Sequence, residues 1–156
     1  MFFSGFVPRI LPLLLLPFLA ACSDQRATFE IKGSAHALSL IRVTGMPWEK
    51  TAKYSIVAAR MPDCMRRQLM SEASPDARVE VYSPGNEAWI LKQEGRLFVT
   101  ETRTCEGFAR LDMVPEGGMG PLMGSFEMRN DTLVFTAAPR MEPPPLPAPS
   151  PAPATS

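Results

Sequence analysis

Residues 78–99 read RVEVYSPGNEAWILKQEGRLFV, and this stretch indicates a fold made of β-strands. Val79 and Val81 alternate with charged residues, as in a half-buried strand, and a Ser-Pro-Gly-Asn turn follows them. Two further apolar runs flank the pair Glu94-Gly95 at the spacing of a tight hairpin. Glycine adopts a positive φ without steric cost, which suits such a turn. The stretch therefore predicts consecutive antiparallel strands.

The same alternation recurs on both sides of this stretch. Phe29 and Ile31 alternate with polar residues near the start of the folded region. Near its end, Phe126 and a methionine two residues later precede the turn pair Asn130-Asp131, which predicts a second hairpin. Further strands are predicted over residues 37–44, 53–60 and 107–113.

One segment departs from this rhythm. Asp63 can cap a short helix over residues 64–70, whose side chains favour helix and lack β-branching, and Ser74-Pro75 would end it. The sequence therefore predicts a mainly β domain, which is a small antiparallel β-barrel or sandwich with one short helix.

The N-terminal residues have the composition of an export signal. Arg9 precedes an apolar run over residues 10–18, and two small alanines follow it shortly afterwards. The run is too short to cross a bilayer as a helix, which needs about 20 apolar residues, and Pro12 and Pro17 interrupt it. The sequence therefore predicts a cleaved signal peptide over residues 1–21.

Residues 19–22, which read Leu-Ala-Ala-Cys, resemble the lipobox of bacterial lipoproteins. The resemblance implies that the Cys22 thiol takes a diacylglyceryl group, that signal peptidase II cuts just before this cysteine, and that the new amine is often acylated, as with palmitate. Two or three acyl chains anchor a protein stably in a membrane. Ser23 stands where the usual inner-membrane retention signal is an aspartate, so the resemblance favours the periplasmic side of the outer membrane in a Gram-negative host. The alternative is an ordinary secretory signal with a chance cysteine near the cut.

Cys64 and Cys105 remain as an even pair once lipidation uses Cys22. In an oxidising compartment such a pair predicts a disulfide, and the bridge would close a loop of about 40 residues, which chain entropy values at about 4 kcal/mol. Two free buried thiols are the alternative, and a catalytic role would favour C-x-x-C spacing.

Charged residues flank the two cysteines. Glu101 and Glu106 lie close to Cys105, and Arg66 and Arg67 follow the first cysteine of the pair. A disulfide would bring these charges together, so an ion pair could form across it, worth about 0 to 1 kcal/mol if exposed.

The chain divides by composition into four parts. They are the signal peptide 1–21, a lipidated anchor with a short linker 22–26, the β domain 27–140 and a Pro-rich disordered tail 141–156. Seven of the eleven residues from 143 to 153 are proline, which predicts an extended polyproline II segment. Such a tail can be a solvated end, or a spacer that meets the cell wall or a proline-binding partner.

Charge and motifs exclude several functions. Sixteen basic and sixteen acidic residues leave no net charge to attract nucleic acid, so we expect no nucleic-acid partner. His36 is the single histidine, and it shares a strand face with Leu38 and Leu40, which indicates a packed side chain. The sequence contains no metalloprotease, serine-hydrolase, phosphate-loop or EF-hand motif. We therefore predict no enzyme, no catalytic residue and no cofactor.

Ten methionines are the oddity of the composition. Thioethers are soft ligands that suit Cu(I), but methionine is also a flexible filler of cores and adaptable contact surfaces. No histidine cluster accompanies them, so packing is favoured over metal binding. The weak alternative of a copper site would use Met61, Met65, Met119 and Met123.

Residues 114–124, VPEGGMGPLMG, form a glycine-rich loop with large apolar side chains. Loops usually cross the surface, so Met119, Leu122 and Met123 are candidates for contact with a partner or lipid. The alternative is that Leu122 and Met123 fold back to close one end of the barrel.

These patterns predict a membrane-anchored envelope lipoprotein of unknown specific role. The favoured function is a non-enzymatic module that binds another envelope protein or peptidoglycan, and the alternative is a carrier or sensor of a small ligand or copper. An apolar cavity lined by Trp89 and Phe108 would favour the carrier. A packed interior with an apolar outer patch would favour the binding module.

Overall fold

The computed structural model describes residues 23–46 and 48–139. In these two ranges the chain forms ten β-strands and no helix. None of the described residues belongs to a helix long and apolar enough to cross a membrane. The predicted signal peptide over 1–21, Cys22 with its lipobox, and the predicted Pro-rich tail over 141–156 lie outside the described residues.

The strands form two sheets in which all pairings are antiparallel. The first sheet has the order β1-β2-β3-β4, with β1 Ser23–Glu30, β2 His36–Thr44, β3 Ala52–Arg60 and β4 Cys64–Leu69. The second has the order β10-β9-β5-β6-β7-β8, with β5 Val79–Gly85, β6 Ala88–Gln93, β7 Arg96–Glu101, β8 Ala109–Leu111, β9 Leu122–Arg129 and β10 Thr132–Ala137.

The two sheets pack face to face around one hydrophobic core. Leu38 and Ile56 of the first sheet and Val81 and Phe126 of the second are fully buried in one cluster. Alternate side chains of a strand point to opposite faces, so each sheet turns one face towards the core. The predicted mainly β class is therefore confirmed. The described residues form an open sandwich rather than a closed barrel, because β1 and β10 touch without forming a ladder.

Both predicted hairpin turns are confirmed. Glu94 and Gly95 join β6 to β7 with φ angles of 48° and 80°, and Asn130 and Asp131 join β9 to β10 with φ angles of 48° and 59°. Positive φ at both central residues matches the twist of the flanking strands. The strand predicted over 107–113 is present but shorter.

The short helix predicted over residues 64–70 is wrong. Cys64–Leu69 form strand β4, which pairs with β3 from Arg60↔Cys64 to Ser55↔Leu69. Helix propensities differ by less than about 1 kcal/mol per residue, so tertiary contacts easily override them. Here β4 supplies hydrogen-bond partners to the otherwise open edge of β3.

Strand β1 begins earlier than the alternation suggested. Residues 23–26, assigned to a linker by sequence, pair with β2 from Ser23↔Thr44 onwards. The polar side chains in this part of β1 suit their surroundings. Asp24 is exposed to solvent, and Gln25 forms hydrogen bonds with the second sheet. The Gln25 side-chain amide donates to the Asp131 carbonyl at 2.8 Å, and its oxygen accepts from the Leu133 N–H at 3.0 Å.

Strands β1 and β10 run side by side in the same direction. Gln25 meets the start of β10, and further along Phe29 stacks on Phe135 with ring centroids 4.6 Å apart. The chain thus enters at the end of the sandwich where β1 begins, here called the Ser23 end. It leaves β10 at the opposite end, called the Cys64 end because β4 starts there.

Replacing Gln25 with alanine should lower the free energy of unfolding by about 1–2 kcal/mol, because the Leu133 N–H loses its acceptor beside the core. Urea denaturation measures the change. Thr28→Ala removes only an exposed hydrogen bond to Ser39 on the outer face of the same strand, and should cost clearly less. Equal losses in the two variants would show that Gln25 does not tie the sheets together.

Candidate functional site

Cys64 and Cys105 form the predicted disulfide, with Cα atoms 5.9 Å apart and a sequence separation of 41. Cys64 begins β4 at the edge of the first sheet, whereas Cys105 lies between β7 and β8 of the second. The bond therefore ties the two sheets together at the Cys64 end. Cys105 is only 1% exposed, which is typical of a structural disulfide rather than of a reactive one.

The segment that carries Cys105 folds around the carboxylate of Glu101. Backbone N–H groups of Arg103, Thr104 and Glu106 donate to this carboxylate over 2.6 to 2.9 Å. The Thr104 hydroxyl donates as well, at 2.6 Å. The carboxylate thus replaces the ladder partners that these backbone groups lack.

Two consequences follow from the hydrogen bonds to Glu101. Burial acts to raise the pKa of Glu101, but the bonds from Thr104, Gly107 and Glu106 outweigh it and lower the pKa from 4.5 to about 2. Gly107 approaches so closely that a Cβ there would lie 2.7 Å from the Glu101 Cγ. The predicted ion pair across the disulfide forms between Glu106 and Arg66, at 3.8 Å, with both side chains exposed.

His36 belongs to a second contact between the sheets. Its side chain is buried, as the strand pattern predicted, and its Nε2 lies 2.8 Å from the Thr102 hydroxyl. Trp89 donates its indole N–H to the same hydroxyl at 3.2 Å. Burial, assisted by the charge of Arg60, lowers the pKa of His36. The arrangement is that of a packed neutral ring that joins β2 to the second sheet.

The glycine-rich loop before β9 lies against the second sheet. A Cβ at Gly120 would clash with the Ser83 carbonyl oxygen, so glycine permits this close approach. Leu122 is 38% exposed, Met119 is half-buried, and Met123 packs partly against the core. Of the three predicted contact residues, Leu122 is thus the one that offers an exposed side chain.

The methionines divide between core and surface. Met61 and Met65, at the start of β4, are 52% and 66% exposed. Of the other two thioethers of the weak copper alternative, Met119 lies in the loop before β9 and Met123 lies in β9 of the second sheet. Among the described residues, no group of three or more His, Cys, Asp or Glu side chains could hold a metal ion. Three methionines pack partly against the core, as fillers do: Met70, Met123 and Met128.

The interior is filled by side chains of the chain itself. Trp89 is 5% exposed within the core cluster, and Phe108 packs against that cluster with its ring 6.0 Å from the ring of Phe98. Trp89 and Phe108 therefore contact neighbours instead of lining a ligand cavity. A surface hollow of about 390 Å³ lies at the Ser23 end, and polar and apolar groups both line it: Val43, Gly45, Glu49, Thr51, Lys53 and Glu72.

The outer surface of β4 exposes large apolar side chains. Met65 and Leu69 are 66% and 75% exposed on one side of this edge strand, with the exposed Arg67 between them, and Met61 just precedes it. We call Met61, Met65, Arg67 and Leu69 the β4 face. Charged residues such as Arg66 on an edge strand discourage strand-to-strand pairing, so the side chains rather than the strand edge are available for contact.

The outer surface of the second sheet is different, because its charges pair with one another. Lys92 lies 3.5 Å from Glu80, and Glu127 forms ion pairs with Arg129 at 2.6 Å and with Arg78 at 3.8 Å. Such internally paired charges are typical of a surface that stays in contact with water. The β4 face is therefore the better candidate for binding.

Comparison with known proteins reveals no relative of this chain. No family model, no curated protein and no solved structure matches it. Inference of function therefore rests on the exposed surfaces, the disulfide and the sequence before Ser23.

Two features of the surface were not predicted from sequence. Trp48 is 76% exposed in the connection between β2 and β3. The available signal was a tryptophan between two predicted strands, where polar turn residues are usual. The role of Glu101 had no such signal, because the groups that bond to it are backbone N–H groups, which every sequence carries.

Glu101→Gln should lower the free energy of unfolding by about 1.5–3 kcal/mol at neutral pH, because the hydrogen bonds then end on a neutral amide. The folded-state pKa is about 2 against an ordinary 4.5, so the contribution of Glu101 is complete above about pH 4.5 and is lost as pH falls towards 2.

Melting curves of the native protein and of Glu101→Gln should therefore differ at neutral pH and converge near pH 2. Glu106→Gln, which removes only the exposed ion pair with Arg66, is the matched control and should change little. A difference between Glu101→Gln and the native protein that persists at low pH would contradict the assigned role.

Proposed function

We propose that this chain is a lipid-anchored protein of the cell envelope whose β domain binds another envelope protein and catalyses no reaction. The anchor is the lipid on Cys22 after removal of residues 1–21, and the proposed location is the periplasmic side of the outer membrane in a Gram-negative host. The observation that carries the proposal is the lipobox-like sequence Leu-Ala-Ala-Cys at residues 19–22, which precedes the ten described strands. Cleavage before Cys22 would leave all ten described strands intact.

The disulfide supports export. Cytosolic thiols are kept reduced, whereas the envelope oxidises them, so a buried structural bond such as Cys64–Cys105 suits a protein that folds after export. Cleavage before Cys22 leaves Cys64, Cys105 and Gln25 in the chain. The disulfide and the Gln25 hydrogen bonds between the sheets are therefore kept.

The β4 face supports a protein partner. Met61 and Met65 have flexible, polarisable side chains that adapt to irregular surfaces, and Leu69 adds a further exposed apolar group. Apolar side chains gain most by contacting other apolar surface, which a protein offers and peptidoglycan, with its sugars and charged peptides, offers less. The packed interior favours this surface role over the carrier alternative.

Mass spectrometry of the protein purified from the membranes of its host tests the anchor. We expect a chain that starts at Cys22 and carries acyl chains, with one disulfide and no ligand. A chain cut elsewhere without lipid would contradict the lipoprotein proposal. A bound copper ion or small molecule in the native spectrum would instead support the carrier alternative.

A photo-crosslinking amino acid at position 67, in the middle of the β4 face, should trap a discrete envelope protein in intact cells. Met65→Ser combined with Leu69→Ser should weaken this product roughly tenfold, because two buried apolar contacts are lost, while the melting temperature stays unchanged.

The same crosslinker at Lys92, on the charged surface of the second sheet, is the matched control and should trap no such protein. A peptidoglycan adduct at position 67 would move the assignment to cell-wall binding. Equal products at both positions would contradict a binding role for the β4 face.

A further inference from the structure

Four exposed apolar side chains gather at the Ser23 end of the sandwich. In the connection between β2 and β3, Met46 is 43% exposed and Trp48 is 76% exposed. After β8, Met113 and Val114 are 76% and 51% exposed. An isolated exposed apolar residue is ordinary, but a set gathered at one end of a domain indicates contact with an apolar phase.

The connection between β2 and β3 lies directly beside the start of the chain's first strand. Ser23 is paired with Thr44, the last residue of β2, and neighbouring strands lie about 4.8 Å apart. Trp48 follows Thr44 by four residues, which span at most about 14 Å. Cys22 directly precedes Ser23 in sequence, so a lipid on Cys22 would be attached at the same end of the sandwich as this connection.

Hydrogen bonds fix this connection to the second sheet at the same end. The Thr51 hydroxyl donates to the Glu72 carboxylate at 3.2 Å. Arg96, the first residue of β7, donates to the backbone carbonyl of Glu72 at 3.0 Å. The start of β7 therefore also lies at the Ser23 end.

Strand β8 returns towards the same end. It pairs antiparallel with β7 so that Leu111 lies opposite Leu97, close to the start of β7. Met113 and Val114 follow Leu111 directly and continue in that direction. The two sheets thus each place a pair of exposed apolar side chains at the end where the chain begins.

We propose that the Ser23 end rests on the lipid bilayer that holds the acylated Cys22, with Trp48, Met46, Met113 and Val114 at the boundary between headgroups and acyl chains. This inference rests on the proposed lipidation of Cys22. Tryptophan is enriched at that boundary because its ring is apolar while its N–H can bond to headgroups. The contact would hold the sandwich upright, with the Cys64 end away from the membrane and the β4 face accessible from the side.

The charges around Trp48 make apolar insertion the main attraction. Lys50 and Lys53 are exposed there, but Glu49 and Glu72 lie beside them, so the signs balance. Salt screens the attraction between exposed charges, with a Debye length of about 10 Å at roughly 0.1 M salt. A contact that depended on anionic headgroups would therefore weaken as the salt concentration rises. The contact proposed here is expected to persist in high salt.

Tryptophan fluorescence tests the proposal directly, because the chain contains only two tryptophans and Trp89 is buried. The full, lipidated protein is reconstituted into vesicles of phosphatidylethanolamine and phosphatidylglycerol, with or without bromine on the acyl chains. We expect the emission of Trp48 to shift to shorter wavelength and to be largely lost with brominated lipid, at low and at high salt.

Two variants isolate the signal. Trp48→Phe leaves Trp89 alone and should lose little emission with brominated lipid. Trp48→Phe combined with Ser34→Trp places the reporter in the exposed turn between β1 and β2 at the Cys64 end, and it should also remain unquenched. Quenching at position 34 equal to that at position 48 would overturn the upright orientation and with it the proposal.

The remaining outcomes separate this inference from the proposed function. In one outcome the protein carries acyl chains and floats with vesicles, but brominated lipid does not quench the Trp48 emission. This result would contradict the membrane contact and still support the lipid anchor. A protein without acyl chains overturns both. In another outcome the Trp48 emission shifts as more protein is added per vesicle, but brominated lipid does not quench it. This result would assign the surface to contact with a second copy of the chain and would also contradict the membrane contact.

Discussion

The structure depends on directional ties that fix one sheet against the other, and two of them lie at its edges. Burial of apolar surface holds the sandwich together, but this attraction has no preferred direction, so it does not by itself set how the sheets are placed. At one edge the Cys64–Cys105 disulfide joins β4 to the segment after β7, and at the other Gln25 bonds to both Asp131 and Leu133. The Glu101 carboxylate in turn shapes the segment that presents Cys105. Each tie is a directional contact between residues far apart in sequence.

This division between local and distant contacts explains what could be predicted from sequence. The hairpins at Glu94-Gly95 and Asn130-Asp131 follow from local turn chemistry and alternation, and both were predicted correctly. Strand β4 was predicted as a helix, because its pairing with β3 and its bond to Cys105 are not visible in its own residues. The disulfide could be predicted only because cysteines are few.

The surfaces of the molecule differ in the side chains that they expose, and the proposed functions depend on this difference more than on the fold. The second sheet pairs its surface charges internally, whereas β4 leaves Met65 and Leu69 exposed, and the Ser23 end leaves Trp48 exposed. Trp89 and Phe98 belong to one packed core cluster between the sheets, so the exposed apolar side chains are the features from which a binding role is proposed. If one apolar region meets lipid and the other a protein, the β4 face is presented at a fixed height and orientation above the membrane.

The parallel course of β1 and β10 has a mechanical consequence. The chain enters at Ser23 and leaves β10 at Ala137, at opposite ends of the sandwich. Tension between these two points would act along both strands, while their ladder bonds to β2 and β9 lie across the direction of pull. Many bonds then carry the load together and must break together, whereas a hairpin pulled open from one end loses its bonds singly. A domain pulled between Ser23 and Ala137 would thus resist unravelling.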